Sequence, residues 1–83
     1  MKRTDIYAAI DEERERQFAI WGGAHDWGHG DCSNPAVADI VKTAVLSEEC
    51  GEVARAVLDT GIDQLRTELI QVAAVAVAWL EAL

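Results

Sequence analysis

Positive charge is scarce in this chain: seven lysines and arginines stand against fifteen aspartates and glutamates among 83 residues, a formal net charge of −8. That balance argues against nucleic acid as a partner, because backbone binding rests on clustered Lys and Arg. Cysteine is equally sparse. Cys32 and Cys50 are too few for a disulfide framework, and Cys50 falls in a predicted helix, so a reducing cytoplasm is the expected setting. The longest apolar run, VAAVAVAWL from Val72 to Leu80, is less than half of the roughly 20 residues that a membrane span needs. The opening MKRTDIYAAIDEERERQ carries no apolar signal-peptide core. The expectation is a soluble cytoplasmic protein without a membrane partner.

Proline occurs once, at Pro35, and four of the six glycines fall between Gly22 and Gly30, so the chain breakers are concentrated in one place. Around that loop the sequence reads as an all-α single domain over residues 1–83. Ile6, Tyr7, Ile10, Phe18 and Trp21 recur among charged residues and predict an amphipathic helix over 4–21, capped by Thr4 or Asp5, with DEERERQ as its solvated face. Asn34 as cap and Pro35 at the first helical position predict a second helix over 35–59. Thr60 to Asp63 forms a break in which Gly61 takes a positive-φ conformation and Asp63 caps a third helix over 63–82. VAAVAVAWL could be a strand by composition, but its alanines and helical flanks favour a helix buried on most sides. No strand is expected elsewhere. The short break predicts that helices two and three pack as an antiparallel hairpin. So short a chain buries a small core, which makes assembly into a dimeric helical bundle a natural supplement.

SEECGEV, from Ser47 to Val53, places Glu48, Glu49 and Glu52 in an otherwise apolar helix. Glu52 and Glu68 each lie eight residues from Thr60, and Glu49 and Gln71 each lie eleven, so in a hairpin these pairs face each other. Each pair of neighbours on one helix is spaced i, i+3, about 4.5 Å of rise, and stays on one face. Carboxylates gathered in this way raise one another's pKa unless a cation neutralises them. Mg²⁺, a hard ion that takes carboxylate and water oxygens and leaves room for phosphates, suits such a wall. The plainer reading is an exposed acidic face paired with Arg55 or Arg66.

EECGE (Glu48 to Glu52) followed by ELIQVAAVAVAWLEAL (Glu68 to Leu83) resembles the MazG-like all-α nucleoside triphosphate pyrophosphohydrolases, whose signature is E-E-x-x-E and then E-x-x-D on the next helix. Arg16, Gln17, Trp21, Gly22 and His25 match an N-terminal RQ…WG…H segment of the small bacterial and phage members. The resemblance implies a Mg²⁺-dependent hydrolase, with Mn²⁺ as a substitute metal, that cuts a nucleoside triphosphate into monophosphate and pyrophosphate and so cleans the nucleotide pool. It implies metal ligation by Glu49, Glu52 and Glu68, with Gln71 in the place of the family's aspartate, and for Glu48 either support of the ligands from behind or a water-orienting role. It also implies a homodimer or a dimer of dimers. Two departures stand out: Gln71 is neutral, and many members continue past the third helix with basic residues, whereas this sequence stops at Leu83. The phosphate grip is therefore expected from Lys42, Arg55, Arg14 or Arg16, or from a second subunit. The alternative expectation is a weakened or inactive module that dimerises or binds nucleotides.

In the glycine-rich loop, His25, His29 and Cys32 have zinc-ligand spacing but lack a fourth ligand and a firm support. A lid is the better functional expectation, with Trp21 or Trp27 stacking on a base and His25 contacting sugar or phosphate; the plainer alternative is that these tryptophans close the small core. Trp79 is expected in the core or at a subunit interface, and Cys50 is expected to be buried and inert beside carboxylates.

Overall fold

The structure, a computed structural model, describes residues 1–83 with the exception of the Thr60 side chain, which the mirrored spacing puts at the turn centre and which lies outside the described residues. Three helices hold most of the chain: α1 Arg3–Trp21, α2 Asp39–Arg55 continued by a π-helical turn Ala56–Thr60, and α3 Ile62–Ala82. The central element is α3, which packs against both α1 and α2. No described helix is long and apolar enough to cross a membrane.

The first helix departs from its expected face. Ile6, Ala9 and Ile10 are half-buried as an inward stripe, but farther along the buried positions are Arg14 and Gln17, while Tyr7, Phe18 and Trp21 are exposed. The DEERERQ run is thus not merely a solvated face, because partners distant in sequence satisfy Arg14. The helix starts after Lys2, whose side chain makes no cap bond, so neither Thr4 nor Asp5 caps it.

The loop is more ordered than its composition implies. Ala24–His25 (β1) and Gly28–His29 (β2) pair antiparallel, a two-residue hairpin that the absence of strand-length sequence concealed. Gly30 closes it: its amide donates to the Gly23 carbonyl at 2.8 Å, and its φ of +103° is open to glycine without strain. Asn34 does not start α2. Its side chain donates to the His29 carbonyl and accepts from the Ala36 amide, which ties the loop to itself. Helix α2 begins four residues later than Pro35, at Asp39, because Ala38 is extended (ψ 146°) and interrupts the turn that Asn34 opens.

Gly61 has φ +91° and ψ −174°, a region essentially reserved for glycine, and its carbonyl accepts from the Leu65 amide in the first turn of α3. Asp63 lies inside that turn rather than at the cap. On either side of this break the helices touch at two levels: Trp79 Nε1 donates to Asp39 Oδ1 at 3.2 Å, and Gln71 reaches Glu49. The core between them is built of small side chains, with Cys32, Val75 and Ala78 buried and Val45 and Leu46 packed against them. Helix α3 is not buried on most sides; Leu69, Leu80 and Leu83 are exposed. Cys50 is exposed too, not buried, and both cysteines are free.

Candidate functional site

The floor of the site is an ion-paired network. Arg14 Nη1 donates to Asp31 Oδ2 at 3.0 Å and to Gln17 Oε1 at 3.2 Å, while Nε donates to Glu81 Oε1 at 3.2 Å. The other Asp31 oxygen accepts from both the Ser33 amide and the Ser33 hydroxyl. Burial by itself pushes the Asp31 carboxyl up, but the Ser33 bonds and the Arg14 guanidinium outweigh it and hold the group below the usual carboxylate range. Three separate segments, α1, the loop and α3, are joined here through one guanidinium.

The acidic cluster lies beside this network. With its amide oriented so that nitrogen faces the carboxylates, Gln71 Nε2 donates to Glu68 Oε2 at 2.8 Å and to Glu49 Oε2 at 3.3 Å. Glu68 is buried, and its other oxygen accepts from Gln64 Nε2 at 2.6 Å. Two carboxylates from α2 and α3 are thus held across one amide. Glu52 is exposed one turn along from Glu49 and stands outside these bonds. Glu48 is exposed on the same helix. Burial, then the charges of Glu68, Glu48, Glu13 and Glu52, push the Glu49 carboxyl above its ordinary value. Glu13, on α1, is the contributor that sequence spacing misses.

This shift has a measurable consequence. A carboxyl whose pKa is higher in the folded state keeps its proton more readily when folded, so its contribution to stability is present at low pH and lost as pH rises through the folded value. Without divalent cations, unfolding free energy is expected to fall as pH rises above the ordinary carboxylate value, and Glu49→Gln should flatten that slope. Denaturant titrations at a series of pH values check it.

Glu48, Glu49, Trp21 and Trp27 all border a cleft of about 330 Å³. Val37, Val41, Val45 and Val75 line its apolar interior. The two indoles have centroids 6.4 Å apart and are tilted by 33°, which leaves no room for a planar ring between them. His25 stacks on Trp27 at 4.5 Å and 12°, and its Nε2–H donates to the Trp21 carbonyl at 2.6 Å, since that carbonyl can only accept. Its role is to support Trp27 from within the loop.

The remaining predicted residues lie apart. Lys42 is turned into the interior at 2 % exposure and does not border the cleft; its charge acts on the Cys32 thiol, which burial and Asp31 push up. Arg55 is exposed at the end of α2, also away from the cleft. His25, His29 and Cys32 do not gather: His25 is engaged with Trp21, His29 is exposed and Cys32 is in the core. Among the described residues no three His, Cys, Asp or Glu side chains converge as a ready-made metal site.

The donor set still suits one kind of ion. Two carboxylates and an amide oxygen, made available by rotating Gln71, are hard ligands of the number Mg²⁺ takes from protein when water and phosphates supply the rest. No family model, curated protein or solved structure matches the chain.

Proposed function

We propose that the chain is a Mg²⁺-dependent nucleoside triphosphate pyrophosphohydrolase of MazG-like type. The observation that carries the reading is the Glu49–Gln71–Glu68 arrangement, whose Glu49 borders an apolar cleft that two tryptophans also line. The base stacks on Trp21 or Trp27 and fills the valine-lined interior, which leaves the phosphates at the carboxylates. A water oxygen attacks the α-phosphorus, the bond from that phosphorus to the α–β bridging oxygen breaks, and the electron pair leaves on pyrophosphate. Glu48, exposed at the cleft edge, accepts the water's proton. When bound, Mg²⁺ or Mn²⁺ neutralises phosphate charge and lowers the pKa of the attacking water. Glu49, Glu68 and a rotated Gln71 would hold it, and Glu52 would add a carboxylate one turn along α2.

The finer architecture belongs to the same reading. The Asp39–Trp79 and Glu49–Gln71 contacts support an antiparallel α2–α3 hairpin. Ile62, Leu69 and Leu80 of α3, Leu83 after it, and Val57 and Leu58 in the preceding turn remain exposed and would be covered in a homodimer or a dimer of dimers.

Gln71→Asp tests the metal site. It exchanges a bridging amide for a third anionic ligand, and since ligand charge sets affinity for hard cations, Mg²⁺ is expected to bind roughly tenfold tighter. Calorimetry reads the affinity, and pyrophosphate release should rise with it. Unchanged or weaker Mg²⁺ binding would count against the site.

A second reading has its own support: because the Gln71 amide already bridges both carboxylates, the cluster is satisfied without an ion. That favours a nucleotide-binding or dimerisation module whose catalytic power has faded.

A further inference from the structure

We infer that Arg16 is the side chain that contacts the substrate's phosphates and that Glu13 positions it; this rests on the pyrophosphohydrolase reading and deepens it. Arg14 is buried and committed to Asp31, Gln17 and Glu81, Lys42 is buried away from the cleft, and Arg55 borders no cavity described above. Lys2 and Arg3 sit at the far end of α1, and neither borders the cleft. Arg66 lies in a second groove, between α1 and α3, where it pairs loosely with Asp63 at 3.6 Å.

Arg16 alone among the basic residues borders both the tryptophan cleft and that groove, so the two depressions meet at its side chain. It borders the same cleft as Glu49, one of the proposed metal ligands, and the Glu49 charge is felt at its guanidinium. Glu13 holds it by a two-pronged bond, Nε to Oε1 and Nη2 to Oε2, each 2.7 Å. Nη1 makes no hydrogen bond among the described residues and is left for a phosphate oxygen. The two bonds bias the fork toward one orientation before the substrate arrives, which lowers the entropy lost when it grips a phosphate. Glu13 is the less exposed partner, its side chain 11 % accessible against 52 % for Arg16, as suits an anchor and the group it aims. A triphosphate whose base lies in the cleft runs past Arg16 toward the groove, and the departing pyrophosphate takes up negative charge where the guanidinium sits.

The test uses the full chain and three variants, Arg16→Ala, Arg16→Lys and Glu13→Gln. For Arg16→Ala, kcat/KM for Mg²⁺–nucleoside triphosphate is expected to fall about a hundredfold, with KM raised and kcat lowered, a loss of the size seen when one charge-stabilising donor is removed. Arg16→Lys should restore part of this, since it keeps the charge and loses the fork, and Glu13→Gln should give an intermediate loss. Without Mg²⁺, calorimetric binding of inorganic pyrophosphate should vanish in Arg16→Ala. Nucleoside binding, read by tryptophan fluorescence, the Mg²⁺ affinity and the melting temperature should stay as in the wild type. If the wild type hydrolyses triphosphates and Arg16→Ala keeps KM and pyrophosphate binding within about twofold, the inference fails and the enzyme reading stands. If the wild type neither hydrolyses triphosphates with Mg²⁺ nor binds pyrophosphate, both fail.

Discussion

Glu49→Gln is expected to lower Mg²⁺-dependent pyrophosphate release at least about a hundredfold while the fold persists. Glu49 is the carboxylate on α2 that shares the Gln71 amide with Glu68, and burial, then the charges of its neighbours, push its pKa up, so a cation there would relieve both. Metal assistance is worth several kcal/mol of barrier, and each 1.36 kcal/mol is about tenfold in rate, which sets the size of the loss. Glu52→Gln, at an exposed position outside the hydrogen-bonded cluster, should cost less than Glu49→Gln, though turnover still falls. Because Glu49→Gln also removes a crowded charge, the metal-free variant should be at least as stable as the wild type. Steady-state rates with urea unfolding on the same samples separate the two effects. A variant that loses activity by unfolding, or one that keeps wild-type turnover, would contradict this role for Glu49.

Arg14→Ala should be the most destabilising single change. The Arg14 and Asp31 side chains are only 10 % and 5 % exposed, and their bond ties α1 to the loop while Glu81 ties α1 to the end of α3. Removing one partner of a buried pair leaves the other charge stranded, at a cost of about 3–5 kcal/mol. Small domains hold only about 5–15 kcal/mol in all, so much of the stability should go, with a fall in melting temperature of about 4–8 °C for each kcal/mol. Glu81→Gln should cost about 0–1 kcal/mol, because Glu81 is half exposed and its pairing is screened. Replacing Arg14 and Asp31 together by apolar residues of similar size should recover most of the loss, since no stranded charge remains. Urea midpoints for the three variants check this ordering.

The difference between these two sites also explains what the sequence discloses. Glu49 and Gln71 are found by counting outward from the glycine break, because helices have a fixed rise and a short connection fixes their register. The three helices follow from periodicity and breakers in the same way. The Arg14 network is invisible to such counting. Its partners lie 17 and 67 residues away, and within DEERERQ nothing distinguishes the buried arginine from the exposed one. Glu13 is hidden for the same reason. The late start of α2 reflects competition: Asn34 and Pro35 are good helix openers, but the Asn34 side chain is spent on the His29 carbonyl and the Ala36 amide. The exposed leucines of α3 show the limit of reading burial from hydropathy, since an apolar run records what must be covered and not what covers it within one chain.

The most direct measurement is the product analysis of a panel of ribo- and deoxyribonucleoside triphosphates incubated with the protein at high concentration, with and without Mg²⁺. The account predicts monophosphate and pyrophosphate in equal amounts, only when Mg²⁺ is present, and none above background with Glu49→Gln. Absence of pyrophosphate from every triphosphate in the presence of Mg²⁺, release of inorganic phosphate in its place, or turnover that survives Glu49→Gln would contradict it.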